Sequence, residues 1–222
     1  MEMTKPLISV LVPYRDKPEM DFMTDTWAPL YAQRARLDFA TLIISKWLTS
    51  DQPGISKSRN DLVGASLDRY SDFDYFLDSD MPINHPDSVE ALRLLVEAIQ
   101  REDVDIVSGM YLERLSKRIC ARKWNDTEKQ YEYYRKSELE GKLTQVDAVG
   151  MGCCLIDTRI FNSLEYPWFK YGERMNEPGE DISFCERVRE LGFKIWVHGD
   201  VVFNHWGKYK FTLEDEAVPL SQ

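Results

Sequence analysis

Nowhere in its 222 residues does this chain reach the roughly 18 consecutive apolar residues of a membrane-spanning helix. The opening Met1-Glu2-Met3-Thr4-Lys5-Pro6 lacks the apolar core of a secretory signal. Both absences lead us to expect a cytoplasmic protein. Cysteine is scarce: Cys120, Cys153, Cys154 and Cys185 show no zinc-ligand spacing, and adjacent Cys153 and Cys154 are poorly placed to bridge. Buried, reduced thiols are expected rather than a disulfide framework. Histidine is scarcer still, with only His85, His198 and His205. Positive charge is in deficit, 28 Lys and Arg against 38 Asp and Glu, a net −10. That excess opposes binding to nucleic acid or anionic lipid. An anionic small molecule would need a metal or a few placed cations.

What is present reads as a globular chain, 43% hydrophobic and 30% charged. We expect one domain over residues 1–222, with an insertion at 112–145 and a tail at 208–222. Leu7 to Val12 is a β-branched run typical of a buried parallel strand. A helix should follow to about Arg36, then a strand over Ala40 to Ile44. Asp51-Gln52-Pro53-Gly54 is turn chemistry, and Ser56 is placed to cap a helix bearing Leu62, Val63, Ser66, Leu67 and Tyr70. Phe73 to Leu77 is a buried strand. A helix carries Val89, Leu92, Val96 and Ile99 at helical spacing, and Asp105 to Tyr111 is another strand. This β-α-β-α-β-α-β order predicts an α/β fold with a mainly parallel central sheet flanked by helices. The polar and aromatic insertion should form a hairpin around Asn125-Asp126. Val146 to Ile156 is a second apolar run, Glu180 to Leu191 a helix closed by Gly192, and Phe193 to Val197 an alternating strand.

In open α/β sheets ligands bind at the carboxyl ends of strands. Three polar groups follow predicted strands: Tyr14-Arg15-Asp16, Asp78-Ser79-Asp80 and His205. Two carboxylates two residues apart on an extended chain face one way, and form an oxygen pair for a hard divalent cation. His205 is either a hydrogen-bonded structural histidine or an imidazole ligand completing the Asp80 site. His85 and His198 read as structural. Glu180-Asp181 opens a helix, where carboxylates complement the positive helix end or supply a general base. Arg59 stands in a helix opening, where it is either a solvated surface charge or a forked phosphate donor.

Together these residues resemble the GT-A-fold glycosyltransferases, nearest to family 2. Ile8 to Arg15 is similar to that family's first strand and nucleotide loop, Ser58-Arg59-Asn60 to its Ala-Arg-Asn, and Tyr75 to Asp80 to its metal motif. Val149 to Ile156 resembles its glycine strand, and Gly179 to Arg187 its Glu-Asp helix. The resemblance spans about residues 7–207 outside the insertion. It departs from the family where Ser45 to Asp51 stands in place of the Asp-Asp-Gly-Ser-like run that contacts the base. The resemblance implies a single Rossmann-like GT-A domain that transfers a sugar from a nucleotide-diphosphate donor, UDP-sugars being favoured. Asp80 and His205 would bind Mn²⁺ or Mg²⁺, with Asp78 holding the metal shell or ribose. Pro13, Tyr14, Arg15, Arg59 and Ser79 would line the donor site. Asp181 would be the base of an inverting reaction, with Glu180 orienting it or touching the acceptor. Trp124, Tyr131, Tyr133, Trp168 and Trp206 are either packing residues or an acceptor wall. The acceptor could be a glycan, lipid, protein or small molecule. A retaining transferase, a nucleotidyltransferase and a non-catalytic nucleotide or sugar module stand as alternatives.

Overall fold

The computed structural model describes residues 5–15, 22–33, 40–48, 54–83, 88–101, 103–114, 116–171, 179–206 and 210–215. Strand β1 (Leu7–Arg15) is the β-branched run, with Ile8, Val10, Leu11 and Val12 buried. Phe22–Trp27 winds as a wide π-type helix into α1 (Ala28–Gln33). Of the long helix expected here, residues 16–21 and 34–36 lie outside the described ones. Strand β2 (Ala40–Leu48) outruns its expected end at Ile44. The reason is its neighbour: β1 offers parallel partners all the way from Leu7↔Ala40 to Arg15↔Leu48.

Helix α2 (Gly54–Leu67) begins two residues before the anticipated cap. Gly54 takes a φ of +62° that suits glycine, and the Ser56 hydroxyl instead donates to the Phe169 carbonyl at 2.9 Å. Strand β3 (Phe73–Leu77), helix α3 (Ser88–Ile99) and strand β4 (Ile106–Met110) follow as expected. The insertion folds as a hairpin of β5 (Ala121–Asn125) and β6 (Gln130–Tyr133). Asn125 shapes its turn by accepting from the backbone N–H groups of Thr127 and Glu128 at 2.9 and 3.0 Å.

The short helix α4 (Lys136–Leu139) leads to β7 (Leu143–Val146), β8 (Ala148–Val149) and β9 (Cys153–Asp157). The single run expected from Val146 to Ile156 is therefore divided among an outer strand, a small sheet and the centre of the main sheet. Helices α5 (Arg159–Ser163) and α6 (Glu180–Glu190) precede β10 (Ile195–Val202). Gly192 closes α6 with a φ of +90°. The expected tail is in part built in. Strand β11 (His205–Trp206) pairs antiparallel with β12 (Lys210–Phe211), and the following 3-10 turn buries Leu213. All four cysteines are free and buried, as anticipated. No helix among the described residues is long and apolar enough to cross a membrane.

Among the described residues the main sheet has seven strands in the order β2-β1-β3-β9-β4-β10-β7. Strands β2, β1, β3, β4 and β10 run one way, and only β9 and β7 run against them. Alternate side chains of β3 enter two cores. Phe76 packs with residues of α2 and α6, while Tyr75 and Leu77 pack with those of α3. Such two-sided burial is what keeps a mainly parallel sheet apolar along its whole length. The hairpin joins the molecule through β8, in a second sheet of order β6-β5-β8.

Candidate active site

The topology gathers polar residues at one edge. Strands β1, β3, β4 and β10 all end there. Helices α2 and α6 each precede a strand of that direction, so both begin there. Strand β9 is reversed, so the Gly150–Gly152 segment before it arrives at the same edge. The Asp78 N–H donates to the Gly152 carbonyl at 3.0 Å and ties the two together.

Helix α2 carries a clamp. Asn60 donates to the Phe169 carbonyl at 2.7 Å and accepts the Phe169 N–H at 3.0 Å. The Phe169 ring then stacks on Phe184 of α6 at 4.5 Å. That packing brings the first turn of α6 beside Arg59. The Arg59 guanidinium, only 4% exposed, donates to the Glu180 carboxylate and lies 3.3 Å from Asp78 Oδ2. Burial opposes its charge, but Asp78, Glu180 and Asp181 outweigh burial and hold it firmly protonated. Burial pushes Asp78 up to about 6 while Arg59 pulls it down. It also raises Glu180, against Arg59 and a hydrogen bond from Tyr171. Asp78 Oδ1 is buried without a protein partner.

Asp80 sits two residues on, in a turn that the Met81 N–H closes by donating to the Asp78 carbonyl at 3.0 Å. Ser79 lies half-buried between the two carboxylates. Asp80 Oδ2 faces Arg114 Nη1 at 3.2 Å and His205 Nε2 at 3.6 Å. Burial works against the Asp80 charge, and His205 and Arg114 reverse that, so its carboxyl falls below the usual range. Strand β11 keeps His205 in place, because the Trp206 N–H donates to the Asp80 carbonyl at 2.9 Å. On its far side His205 Nδ1 is 2.7 Å from the Leu112 carbonyl. A carbonyl only accepts, so Nδ1 carries a proton and Nε2 is the nitrogen turned toward Asp80.

Among the described residues no three His, Cys, Asp or Glu side chains form a ready-made metal cage. Two carboxylates and an imidazole nevertheless have the chemistry for a hard divalent cation. Asp80 and His205 already face each other, and Asp78 has an unused buried oxygen, so the residues present fit such an ion.

Asp181 stands half-buried in the first turn of α6, its Oδ1 accepting the Ile182 N–H at 2.8 Å. Pro13 is buried and Tyr14 half-buried at the end of β1, while the Arg15 side chain lies outside the described residues, as does His85. His198 is on β10, 4.0 Å from Asp200, away from this cluster.

The five aromatics divide. Trp168 is structural: its indole donates to the Phe161 carbonyl at 2.9 Å. Trp206 borders Asp80. Trp124 and Tyr131 meet edge to face at 5.0 Å, and with Glu186, Arg189 and Glu190 they line a groove of about 340 Å³ beside α6. Tyr133 donates to Glu113 at 3.1 Å. Tyr111 and Arg114 escape a reading by motif. Tyr111 accepts the Gly152 N–H at 2.9 Å and fills the space over Gly150, where an added Cβ would come within 2.3 Å of its oxygen. The only sequence signal for Arg114 is a cation shortly beyond a strand that ends at the ligand edge.

No family model matches the sequence, and no curated protein sequence matches it. Solved structures do. The crystal structure of the protein A197 from STIV superposes with a TM-score of 0.64 at 16% identity, over 97% of this chain and 98% of that one. The catalytic domain of Drosophila beta1,4galactosyltransferase 7, in complex with xylobiose, superposes with a TM-score of 0.52 at 15% identity, over 91% and 71%. The chain has a GT-A-like fold. Within a GT-A-like fold, the edge where Asp78, Asp80, Arg59, Glu180 and His205 meet is the carboxyl edge of the sheet, the usual ligand side of an open α/β fold.

Proposed function

We propose that the protein is a glycosyltransferase that moves a sugar from a nucleotide-diphosphate sugar to an acceptor hydroxyl. The supporting observation is the meeting of Asp80 and His205, with Asp78 two residues away, at the carboxyl edge of a GT-A-like sheet. Asp80 and His205 would hold Mn²⁺ or Mg²⁺ with Asp78 beside them, and the bound ion supplies Lewis-acid neutralisation of the departing diphosphate. Pro13, Tyr14, Arg15 and Ser79 border the donor. Arg59 holds Asp78 and Glu180 in register across α2 and α6.

Asp181 is the base. Its carboxylate takes the proton of the acceptor hydroxyl, and that oxygen forms its bond to the anomeric carbon from the face opposite the diphosphate. The bond from anomeric carbon to phosphate oxygen breaks, and its electron pair leaves with the diphosphate. One displacement of this kind inverts the anomeric centre. Glu180, committed to Arg59, orients the first turn of α6 rather than touching the acceptor. The groove lined by the Trp124–Tyr131 pair meets α6 at Glu186, Arg189 and Glu190, toward the end of the helix opposite Asp181, and is not assigned to the acceptor.

A panel of nucleotide-sugars, each screened by thermal shift with and without Mn²⁺, tests this reading. A metal-dependent stabilisation by one donor identifies base and sugar together. No response to any donor would sink the proposal.

A further inference from the structure

A nucleotide diphosphate brings several negative charges to a chain that is already at −10. Some cation of the protein should meet it. Arg59 is the residue its position in the chain suggests, but both ends of its fork are taken by Glu180 and Asp78, and it is 4% exposed. Arg114 is the opposite case. Its side chain is 51% exposed, and its guanidinium reaches Asp80 Oδ2 at 3.2 Å and, more loosely, the Trp206 carbonyl at 3.5 Å. The same Asp80 oxygen faces His205 Nε2 at 3.6 Å. Arg114 therefore contacts the Asp80 oxygen that faces His205, on the side where a divalent ion shared by the two residues would enter.

We propose that Arg114 is an exchangeable counter-ion of the donor site: it neutralises Asp80 while no metal is bound, and passes to the donor's diphosphate once a divalent cation takes Asp80. This rests on the donor-site reading above. Two cations on one carboxylate oxygen repel each other, so metal entry and release of Arg114 are one event. The backbone need not move. The turn that bears Arg114 is pinned where the Glu113 N–H donates to the Arg118 carbonyl and the Cys120 N–H to the Tyr111 carbonyl, each at 2.9 Å. A half-exposed side chain on a pinned turn is free to swing. A guanidinium also presents a planar fork that matches phosphate oxygens, which an ammonium does not.

The exchange makes metal and donor binding cooperative. Metal alone must evict Arg114 into solvent, whereas metal with a diphosphate gives Arg114 a new partner. By linkage each ligand then strengthens the other by the same factor.

Wild type, Arg114→Ala and Arg114→Lys test this in two binding measurements. One is Mn²⁺ affinity without nucleotide, read by electron paramagnetic resonance. The other is the affinity of UDP, GDP and ADP at saturating Mn²⁺, read by calorimetry. We expect Arg114→Ala to bind Mn²⁺ alone about fivefold or more tighter. It should bind the preferred nucleoside diphosphate about tenfold weaker, with Arg114→Lys recovering only part of that loss. A variant that matches wild type in both affinities overturns the exchange, as does weaker Mn²⁺ binding by Arg114→Ala. If wild type itself binds no nucleoside diphosphate with Mn²⁺, the donor-site reading falls, and the exchange with it. That outcome is distinct from a wild type that binds and an Arg114→Ala variant that binds equally well.

Discussion

Arg59 of α2 donates to the Glu180 carboxylate of α6 across 121 residues of sequence, and both groups are buried. A buried pair of this kind contributes little when intact, but breaking it is costly, because Arg59 then keeps only its longer contact to Asp78 at 3.3 Å. Glu180→Ala should therefore destabilise the protein by about 2–3 kcal/mol in urea unfolding. Asp181→Asn, one residue on and half-buried, should stay within about 1 kcal/mol of wild type. Equal stability losses at the two positions would contradict the assigned division of roles.

Asp181→Asn should in turn abolish sugar transfer while donor affinity stays near the wild-type value, because the base meets only the acceptor. Single-turnover rates together with calorimetric donor binding separate the two effects. Wild-type-like turnover in this variant would remove Asp181 as the base.

His205 is oriented from behind by the Leu112 carbonyl, which substitution cannot delete. The imidazole itself can be replaced. His205→Ala should lower Mn²⁺ affinity by about 10–100-fold or more, since losing even an outer-shell partner of a ligand costs that much. The far-UV spectrum should be unchanged. Undiminished Mn²⁺ binding would make His205 a structural histidine.

Asp74 is a different kind of carboxylate. It is wholly buried in β3 and bonded to the Ser66 hydroxyl. Burial pushes it from 3.8 up to about 8, with Ser66 pulling the other way. The folded protein thus keeps a proton that the unfolded chain releases. The associated stability is complete below about pH 4 and is lost as pH rises through about 8. Over that interval the loss is on the order of a few kcal/mol. Asp74→Asn removes the titration, so the wild-type melting temperature should fall relative to the variant's between pH 5 and pH 9. Parallel profiles would show that Asp74 is ionised in the folded state.

The parts of the fold that local pattern determines were legible. The β-branched run of β1, the apolar stripe of α3 and the glycine closing α6 are each specified by neighbours a few residues away. Asp78 and Asp80 stood out because they directly follow the apolar β3. What escaped depends on distant partners. Strand β2 extends to Leu48 because β1 is beside it, not because Ser45-Lys46-Trp47-Leu48 favours a strand. The apolar run from Val146 shows neither that it breaks at Gly150 nor that β9 is reversed, since the bulk that demands glycine there is Tyr111. Arg114 meets Asp80 only through the turn after β4, which no spacing rule describes.

The insertion of β9 between β3 and β4 bears on how the protein reaches its native state. Phe73 pairs with Asp157 and Leu77 with Cys153, so the centre of the sheet closes only after more than half the chain has been organised. Pairings this far apart in sequence make for slow folding, because the loop entropy is spent before any contact repays it. Gly152, which holds the Asp78 backbone, is in position only once that closure is complete. Metal or donor binding at this edge should therefore develop with the slowest refolding phase and serve as a probe of the finished sheet.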